Sequence, residues 1–565
     1  MSHGGNLRVW LAILLVFLMV FGASAFAEEG LMSDVGEATQ SAQPGELSLS
    51  EAPADIDLSL DTTEEGMLFD TGEAMQSVQP GELSLSEALS DIDLSLGATE
   101  DAESNDGDDE WSVPIDKTHF PAADFRDLVK AQFDQDGDGT LSKAEADAVE
   151  NISLRTLEDV EAGINAKNCP NMKGVEYFEN LSMLLCEACN VSSLDVTRNR
   201  KLVVLHCGEN KLTKLDVSKN PALESFVVFQ NRLTSLDVSK NKKLVHLDVA
   251  DNRLKKLDVS KNTKLDFLHC NNNRLTTLDV SKCPLIENFW CNNNQLKKLV
   301  AGKNTKAREI WCFENQLAEL DLSKWTNLQE LNCNTNKLKT LVLPKTKTLT
   351  YISCYGNRLK NLDVSGLQNL SQFFCYDNQL TALDVSKNSN LTNFQCGDNR
   401  LKSLDVSKNK QISKLLCQNN ELTKLDVSKN KKLETLGCFR NRLKDLVLGK
   451  NSKLKLLACQ ENQLPKLDVS GCTSLEMLVC LNNQLTELDL SKNKKLEEIA
   501  TSDNQIKKID IKNCPKLQKA LKMKQRKQGS HMQWGYDVDE GFYVLVEIDR
   551  TTSLTAGKKV LYKGK

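Results

Sequence analysis

Leucine or isoleucine recurs every 21 residues along more than half of the chain, with no insertion or deletion between one anchor and the next. A fixed period of 20 to 50 residues is typical of solenoids, because each unit exposes an apolar face that only its neighbours can cover. The pattern therefore predicts one module of about 16 stacked units. The anchors are Leu194, Leu215, Leu236, Leu257, Leu278, Leu299, Leu320, Leu341, Leu362, Leu383, Leu404, Leu425, Leu446, Leu467, Leu488 and Ile509.

Each unit has the same internal pattern, L-x-x-L-x-C-x-x-N-x-L-x-x-L, which residues 202–215 illustrate. The L-x-C segment predicts a short strand whose Leu and Cys point inward, and stacking the units predicts a parallel sheet. The Asn position continues from Asn210 to Asn504, with Cys189 in its place in the first unit. A buried asparagine can bond the backbone groups that a tight turn leaves unpaired, each worth on the order of 1 to 3 kcal/mol. We therefore expect a polar ladder inside the solenoid.

The second half of the unit, Leu-Asp-Val-Ser-Lys-Asn, is too short and too β-branched for a helix. It predicts an extended or turn-like segment on the convex side, so the module should be mostly β. Asp216 with Lys219, and Asp237 with Lys240, place opposite charges in neighbouring rows. We expect these rows to offset the repulsion between stacked like charges, with each exposed pair worth about 0 to 1 kcal/mol.

Eighteen cysteines would ordinarily suggest disulfides in a secreted chain. Thirteen of them occupy the inward strand position, and Cys283, Cys472 and Cys514 replace the Asn that follows Ser-Lys. Adjacent strands lie roughly 4.7 to 4.9 Å apart, whereas disulfide Cβ atoms need about 3.8 Å. We therefore predict free, buried thiols that act as small apolar side chains. The C-x-x-C at 186–189 is then a product of the repeat and not a metal or redox pair.

Aromatic residues concentrate at the variable positions beside the inward Leu and Cys, on the face predicted to be concave, with His246 and His269 among them. Packing within one unit does not require rings there. Exposed aromatics on a rigid sheet are typical of interfaces, because they bury large areas at small entropic cost. The alternative is a stacked ladder that only stiffens the sheet. The predicted ligand-binding residues are Phe229, Phe267, Trp290, Trp311, Phe313, Tyr351, Tyr355, Phe374, Tyr376 and Phe439, densest from 290 to 376.

A twelve-residue segment, 134–145, matches the EF-hand calcium loop at every diagnostic position. Residues 124–133 and 146–150 on either side are predicted to be helical, and Gly139 permits the sharp turn. The predicted Ca²⁺ ligands are Asp134, Asp136, Asp138, Thr140 through its carbonyl, Ser142 through water, and bidentate Glu145. A lone extracellular hand binds calcium at roughly 10⁻⁴ to 10⁻³ M, so we predict a structural ion. An acidic turn that binds nothing is the alternative; dockerins resemble paired loops that end in Asp.

The first 110 residues differ in kind from the repeats. Residues 1–27 combine Arg8, an apolar run at 9–21 and a small-residue site at 25–27, which predicts a cleaved secretory signal, with a short membrane anchor as the alternative. Residues 28–110 contain 24 Asp or Glu, no Lys or Arg, and a duplication at a 36-residue offset, so we predict disorder.

Charge is strongly segregated along the chain. The whole chain has a net charge of -7 and Arg8 is the only charge in 1–27, so residues 111–565 carry +16. A basic body is typical of nucleic-acid binding, but the secretory signal argues against that partner. We expect a secreted, extracellular or cell-surface protein, with the periplasm still open and no transmembrane segment in the mature chain.

The ends of the ladder predict caps. Residues 164–170 resemble 509–515 in the last repeat, which indicates a degenerate capping turn. Residues 516–527 predict a basic helix-like stretch, and residues 542–548 and 560–562 predict strands of a β-rich cap. The predicted organisation is a signal peptide at 1–27, an acidic disordered region at 28–110, an EF-hand at 111–153, an N-terminal cap at 154–193, the solenoid at 194–514 and a C-terminal basic stretch and cap at 515–565.

The repeated Leu, Cys and Asn positions resemble the leucine-rich repeats of secreted bacterial surface proteins similar to internalins, over about 340 residues. An EF-hand just before the ladder is similar to that family's arrangement. The resemblance implies a curved leucine-rich-repeat solenoid and an adhesin-like role, with a protein or glycan on a cell surface as the partner. A passive structural or envelope-spacing protein is the alternative. The six histidines are scattered and there is no Gly-rich phosphate loop, so we do not predict an enzyme.

Overall fold

The computed structural model describes residues 111–154, 168–538 and 541–564. The predicted signal peptide and acidic region, at 1–110, lie outside the described residues. So do residues 155–167, which include the beginning of the predicted capping turn at 164–170.

One long parallel sheet, called the main sheet below, receives a three-residue strand from every repeat. Its strands are β3 Asn151–Ser153, β4 Met183–Leu185, β5 Val204–His206, β6 Ser225–Val227, β7 His246–Asp248, β8 Phe267–His269, β10 Asn288–Trp290, β12 Glu309–Trp311, β14 Glu330–Asn332, β16 Tyr351–Ser353, β17 Gln372–Phe374, β18 Asn393–Gln395, β19 Lys414–Leu416, β21 Thr435–Gly437, β23 Leu456–Ala458, β24 Met477–Val479 and β25 Glu498–Ala500. From β4 to β25 the strands begin 21 residues apart, and equivalent residues pair across them. The solenoid fold predicted from the period is confirmed.

Each strand of the main sheet points its middle residue into the core. Leu205 and Phe226, which pair across β5 and β6, are both fully buried, and so is Cys207. The predicted inward direction of Leu and Cys is confirmed, although the Cys follows the last strand residue instead of lying within the strand. The two outer residues of each strand consequently point to the opposite side of the sheet from the core.

The asparagine after each strand holds the chain reversal together, as the sequence predicts. Asn336 Nδ2 donates to the carbonyl oxygens of Cys312 at 3.0 Å, Cys333 at 3.3 Å and Asn334 at 3.1 Å. Its Oδ1 accepts the backbone N–H of Leu317 at 3.0 Å. One side chain therefore satisfies four backbone groups, two of them in the preceding repeat, and the arrangement recurs from Asn210 to Asn504.

The Asp-Val-Ser-Lys half of the repeat, called the turn side below, is organised by hydrogen bonds more than by ion pairs. Asp216 Oδ1 accepts the backbone N–H of Ser218 at 2.8 Å. This bond lowers the pKa of Asp216, and the nearby Lys219 charge contributes less than the bond does. The predicted offsetting of Asp by Lys is thus the smaller effect, because an aspartate two residues before an N–H closes a local turn. Short strands precede some of these turns: β9 Thr277–Asp279, β11 Lys298–Val300, β13 Glu319–Asp321, β15 Thr340–Val342, β20 Lys424–Asp426, β22 Asp445–Val447 and β26 Lys508–Asp510.

A second asparagine position, after the Ser-Lys pair, is less demanding than the first. Asn220 Nδ2 donates to the carbonyls of Val196 and Asn199 at 2.8 and 2.7 Å, while its buried Oδ1 has no hydrogen-bond partner among the described residues. Only a donor is needed there. A thiol can supply one, and Cys283 Sγ lies 3.4 Å from the Val259 carbonyl oxygen. This accounts for the cysteines that replace Asn at this position.

All eighteen cysteines lie within the described residues; all are buried, and none forms a disulfide. The prediction of thiols that fill the core without disulfides is therefore confirmed in the structure. Burial raises the pKa of Cys312, Cys354 and Cys417 to about 12 in each case. Such thiols stay protonated and are poor nucleophiles. Cys186 and Cys189 are equally buried, which agrees with treating their C-x-x-C spacing as a product of the repeat.

The N-terminal module packs directly on the first repeats. It consists of β1 Ser112–Pro114, α1 Ala123–Gln132, β2 Thr140–Ser142, α2 Lys143–Asp147 and a 3-10 turn at Val175–Tyr177. The helix predicted at 124–133 is present within one residue. The helix predicted at 146–150 is displaced, because α2 begins at Lys143 and ends at Asp147. A capping box formed by Ser142 and Glu145 fixes its beginning. The end of the module, β3, pairs with β4 and so becomes the first strand of the main sheet.

The C-terminal segment covers the last repeat. It contains α3 Pro515–Ala520, β27 Lys524–Gln528, β28 His531–Val538, β29 Gly541–Asp549, β30 Ser553–Ala556 and β31 Lys559–Tyr562. The helix-like stretch predicted at 516–527 is wrong in its second half, where β27 pairs antiparallel with β28. β29 continues the main sheet beside β25, and Asp549 accepts the N–H groups of Asp503 and Asn504 at 2.8 and 3.3 Å.

Candidate binding face and candidate metal loop

The outer residues of the main-sheet strands, together with the residue after each strand cysteine, form what we call the main-sheet face. It corresponds to the face predicted to be concave. Its residues change from repeat to repeat, whereas the core residues beneath them are nearly constant. The face therefore contains the side chains that the fold itself does not determine.

Five rings form a continuous stack on this face across β7, β8, β10 and β12. His246 stacks on Phe267 with centroids 3.9 Å apart, and Phe267 lies 3.8 Å from His269. His269 stacks on Trp290 at 3.8 Å, and Trp290 on Trp311 at 4.6 Å with the planes 5° apart. Equivalent outward positions on adjacent parallel strands stack the other pairs, whereas the Phe267 and His269 rings lie on one strand and meet at 44°.

A second aromatic group begins two strands later. Tyr355 and Tyr376 stack at 4.3 Å, and Tyr351 meets Phe374 edge to face at 5.6 Å. Between the two groups lies β14, whose outer residues are Glu330 and Asn332. The sequence predicted one aromatic centre from 290 to 376; the structure divides it into two groups with a polar strand between them.

The predicted exposure of these aromatics is only partly right. Phe229, Phe267 and Phe439 are each 8% exposed, so the expectation that they are exposed is wrong for these three. Phe229 lies flat because its neighbours are small: a Cβ on Gly208 would stand 2.5 Å from its ring. The remaining seven predicted residues are partly buried: Trp290, Trp311, Phe313, Tyr351, Tyr355, Phe374 and Tyr376.

Histidines and polar partners lie at the N-terminal end of the face. His206 Nε2 lies 2.8 Å from Ser225 Oγ, and both residues are buried. Burial lowers the pKa of His206 and of His246 to about 4, so both rings are neutral near pH 7. His269 Nδ1 lies 3.8 Å from Asp248 Oδ2. The sequence prediction missed His206, Ser225 and Asp248, although their strand positions, equivalent to His246 and His269, were a sufficient signal.

Two glutamates lie side by side next to the tryptophans. Glu309 and Glu330 are paired residues of β12 and β14. Burial and the Glu330 charge raise the pKa of Glu309 to about 7, and the indole N–H groups of Trp290 and Trp311 oppose the rise. Like charges directly opposite each other destabilise a sheet. The pair is a polar feature of the face that the sequence prediction did not single out.

A row of left-handed residues borders the face where the strands end. It lies just before the strand-end asparagines, with φ values near 50°. Asp and Asn tolerate this conformation better than most residues. The row carries one cation, Arg440, and seven carboxylates: Glu209, Asp251, Glu314, Asp377, Asp398, Glu461 and Asp503. Burial raises the pKa of Asp251, Asp377 and Asp398.

Several polar atoms of the face are buried without a partner among the described residues. Both amide atoms of Asn271 are in this state, and Asn271 is 1% exposed. His269 Nε2 and Asn292 Oδ1 are also unpaired, in side chains 5% and 6% exposed. An unpaired buried polar atom costs about 1 to 3 kcal/mol. The interior of the face therefore contains polar atoms that the described residues do not satisfy.

The predicted calcium loop brings three of its six residues together. One carboxylate oxygen each of Asp134, Asp136 and Asp138 lies within 4.8 Å of the others, and Asp134 Oδ1 is buried without a hydrogen bond. Gly139 has φ +84°, the sharp turn expected of it. The donor set suits a hard cation such as Ca²⁺, which binds six to eight oxygens.

Glu145, the predicted bidentate ligand, bonds the backbone of its own loop. Glu145 accepts the N–H of Gln135 at 2.7 Å and of Ser142 at 2.8 Å, one with each oxygen. Bidentate calcium binding by Glu145 therefore requires it to exchange these bonds for the ion. The loop strand β2 pairs with β1, where Val113 faces Leu141, so a local strand takes the place that a second hand's loop would occupy.

Solved structures with the same repeat architecture match the chain. The functional domain of InlJ from Listeria monocytogenes, described as including a cysteine ladder, matches with a TM-score of 0.54 at 28% identity, covering 76% of this chain and 86% of that one. An internalin, InlF, from the same species has a TM-score of 0.33 at 18% identity, covering 72% and 96%. The leucine-rich effector YopM from Yersinia pestis has 0.43 at 25% identity, covering 55% and 86%.

The chain folds as a leucine-rich-repeat solenoid. No protein-family model and no curated protein matches it. The column of free cysteines in this leucine-rich-repeat solenoid is similar to the cysteine ladder described for InlJ. Among the helices in the described part of the chain, none is both long and apolar enough to pass through a bilayer.

Proposed function

We propose that this leucine-rich-repeat solenoid is a secreted, adhesin-like binding protein without enzymatic activity, which grips a protein or glycan of a cell surface with its main-sheet face. One observation carries the proposal. The five-ring stack that ends at Trp290 and Trp311 remains partly exposed on a face whose residues the fold does not require. Partly exposed tryptophans on a rigid sheet provide the large, low-entropy contacts typical of binding hot spots.

Further support comes from the polar groups around the rings. Buried amide and imidazole atoms without partners, in Asn271, Asn292 and His269, indicate a face that is complete only with a ligand. The similarity over 76% of this chain to the functional domain of InlJ, which includes a cysteine ladder, supports the repeat architecture on which the proposal rests. The signal peptide predicted at 1–27 supports the proposed secretion, and nucleic acid is not the proposed partner.

The competing function is that of a passive spacer, for which the ring stack would serve only to stiffen the sheet. Rings that cover one another stabilise neighbouring repeats by about 0.5 to 1.5 kcal/mol per pair, so the stack stiffens the sheet even without a ligand. The two functions differ in what happens when the rings are removed: a spacer loses only stability, whereas a binding protein also loses its partner.

The test is capture of surface components by the full chain and by Trp290→Ala/Trp311→Ala. We expect the double variant to stay folded, by circular dichroism, and to lose at least roughly tenfold in capture from host-cell and bacterial surface fractions. A matched control, Leu285→Ala/Val342→Ala, removes apolar groups that are 43% and 41% exposed elsewhere on the solenoid. Equal capture by both variants would show that the face is not the binding site; no specific capture by the wild type would favour the spacer.

We also propose that the loop at 134–145 binds one structural Ca²⁺. The buried, unpaired Asp134 Oδ1 beside Asp136 and Asp138 supports this. Because α1 and β3 belong to the module that covers the first repeats, the ion would hold the N-terminal end of the solenoid. Calorimetry of the full chain should show binding at roughly 10⁻⁴ to 10⁻³ M. Asp134→Asn/Asp138→Asn should remove it, while Asp124→Asn, in α1, should not.

A further inference from the structure

We propose that the main-sheet face takes a basic polypeptide segment, with an arginine or lysine side chain held between Glu309 and Glu330 beside the Trp290 and Trp311 rings. This inference rests on the proposed function and narrows its partner to one chemistry. A basic partner gives the acidic residues of the face a role. An uncharged protein or glycan would not need them.

The main-sheet face differs in charge from the rest of the repeat module. Residues 111–565 carry +16, yet the outer strand residues of the main sheet include four carboxylates, Asp248, Glu309, Glu330 and Glu498, and one lysine, Lys414. The bordering left-handed row has the same sign, with seven carboxylates and one arginine. An acidic face on a basic body attracts cationic partners and repels acidic ones.

A pair of glutamates lies near the middle of the face. Glu309 and Glu330 are paired across strands that lie roughly 4.8 Å apart, and they face each other without a cation from the neighbouring outer positions, Asn288 and Tyr351. A guanidinium or ammonium group between the carboxylates would replace their repulsion with charge-assisted hydrogen bonds. The burial that raises the pKa of Glu309 to about 7 strengthens those bonds by excluding water.

The ring stack favours a polypeptide over a glycan. Sugars bind tryptophan through the open face of the ring, but neighbours in the stack cover both faces of Trp290 and one face of Trp311, whose other side adjoins Asn332 of β14. What the stack presents is mainly ring edges, which form an apolar wall. The methylene stem of arginine or lysine packs well along such a wall while its charged head reaches the carboxylates.

Buried asparagines lie on both sides of the glutamate pair. β14 separates the two aromatic groups, and Asn332 and Asn334 lie there 8% and 6% exposed. On the other side, Asn271 has an unpaired donor and an unpaired acceptor, and Asn292 an unpaired acceptor. A polypeptide backbone presents both an N–H and a C=O at each residue, so it can satisfy both kinds of atom.

The experiment uses the full chain and three capped twelve-residue peptides of alternating Gly-Arg, Gly-citrulline and Gly-Glu. Citrulline has nearly the shape of arginine without its charge. Binding is followed by hydrogen–deuterium exchange of the backbone at residues 288–353, so that any peptide bound to the acidic region at 28–110 does not contribute. The variant is Glu309→Gln/Glu330→Gln, and the matched control is Glu319→Gln/Glu487→Gln, two exposed glutamates elsewhere in the repeats.

We expect the Gly-Arg peptide to protect 288–353 in the wild type and in the control, and the protection to weaken as KCl is added. The Glu309→Gln/Glu330→Gln variant should bind at least roughly tenfold more weakly, as loss of a charged partner implies. Equal protection by the citrulline peptide, no protection by the arginine peptide, or full protection of the double variant would each overturn the inference.

Two further results keep the test decisive. If the double variant does not fold, Glu330→Gln alone, an exposed residue, is measured in the same way. If the arginine peptide fails but Trp290→Ala/Trp311→Ala still abolishes capture of surface components, this inference is wrong and the proposed function stands. If capture does not depend on the tryptophans, the proposed function is wrong, whatever the peptides show.

Discussion

Carboxylates on the two sides of the repeat have opposite surroundings. On the turn side, backbone N–H groups of Ser218, Ser386 and their equivalents lower the pKa of the aspartates they bond, such as Asp216 and Asp384. On the main-sheet face and its border, burial raises the pKa of Glu309 to about 7 and that of Asp398 above its usual value. The same functional group stabilises the fold on one side and strains it on the other.

The difference separates structure from function within one repeat. Turn-side aspartates recur because each completes a turn that every repeat must make. Paired glutamates on the main sheet occur only in β12 and β14, where the sheet would be more stable without them. Groups that a fold retains against its own stability are typical of functional sites. Three substitutions test this contrast.

The largest effect should come from the repeated core. Asn336→Ala leaves the Leu317 N–H and the Cys312 and Cys333 carbonyls without their partner, so we expect a loss of about 3 kcal/mol in the free energy of unfolding. Asn361→Ala, at an exposed position, should change it by less than about 0.5 kcal/mol. Urea titration measures both. If both variants lost similarly little free energy of unfolding, water would be replacing the hydrogen bonds of the asparagine side chain.

An intermediate effect of opposite sign is expected on the main-sheet face. The pKa of Glu309 is raised from 4.5 to about 7, so its share of stability is present below about pH 4.5 and is lost as the pH rises through 7. Glu309→Gln should therefore be more stable than wild type at pH 8, by about 1 kcal/mol after allowance for solvent screening, and should match it at a pH below 4.5. Scanning calorimetry at both pH values checks this, with exposed Glu319→Gln as the control. A lower melting temperature at pH 8 would contradict it.

The smallest effect should come from one turn-side aspartate. The pKa of Asp384 is lowered, so its contribution is present above the ordinary value of 3.8 and is lost as the pH falls through the folded value. Asp384→Asn should thus melt slightly below wild type at pH 7 and together with it near pH 2. Asp127→Asn, exposed in α1, is the control. A difference that persists at pH 2 would mean that the amide disturbs the turn for a reason other than charge.

The repeated positions were predictable because each has one local task. The inward Leu and Cys, the strand-end Asn and the free thiols all follow from a 21-residue period and the need to pair backbone groups. The change from α3, which ends at Ala520, to β27, which begins at Lys524, was not predictable. A basic stretch without periodicity does not distinguish a helix from a strand that depends on pairing with β28.

The candidate site was predictable in place but not in detail. The aromatics were located from their outward positions, yet the burial of Phe229 depends on the small residue Gly208 one repeat earlier, and the Glu309 and Glu330 pairing depends on two repeats read together. Properties that arise between repeats require the register to be known first. The link between β3 and β4 was missed for the same reason.

The strand-end asparagines also bear on how such a chain changes its length. Asn336 reaches the Cys312 carbonyl, 24 residues back, and no farther. An insertion or deletion of one whole 21-residue unit would therefore break one set of bonds and rebuild an identical set at the new junction. Gene duplication or loss can lengthen or shorten the solenoid in whole units, provided that both end caps and the four strands bearing the ring stack are kept.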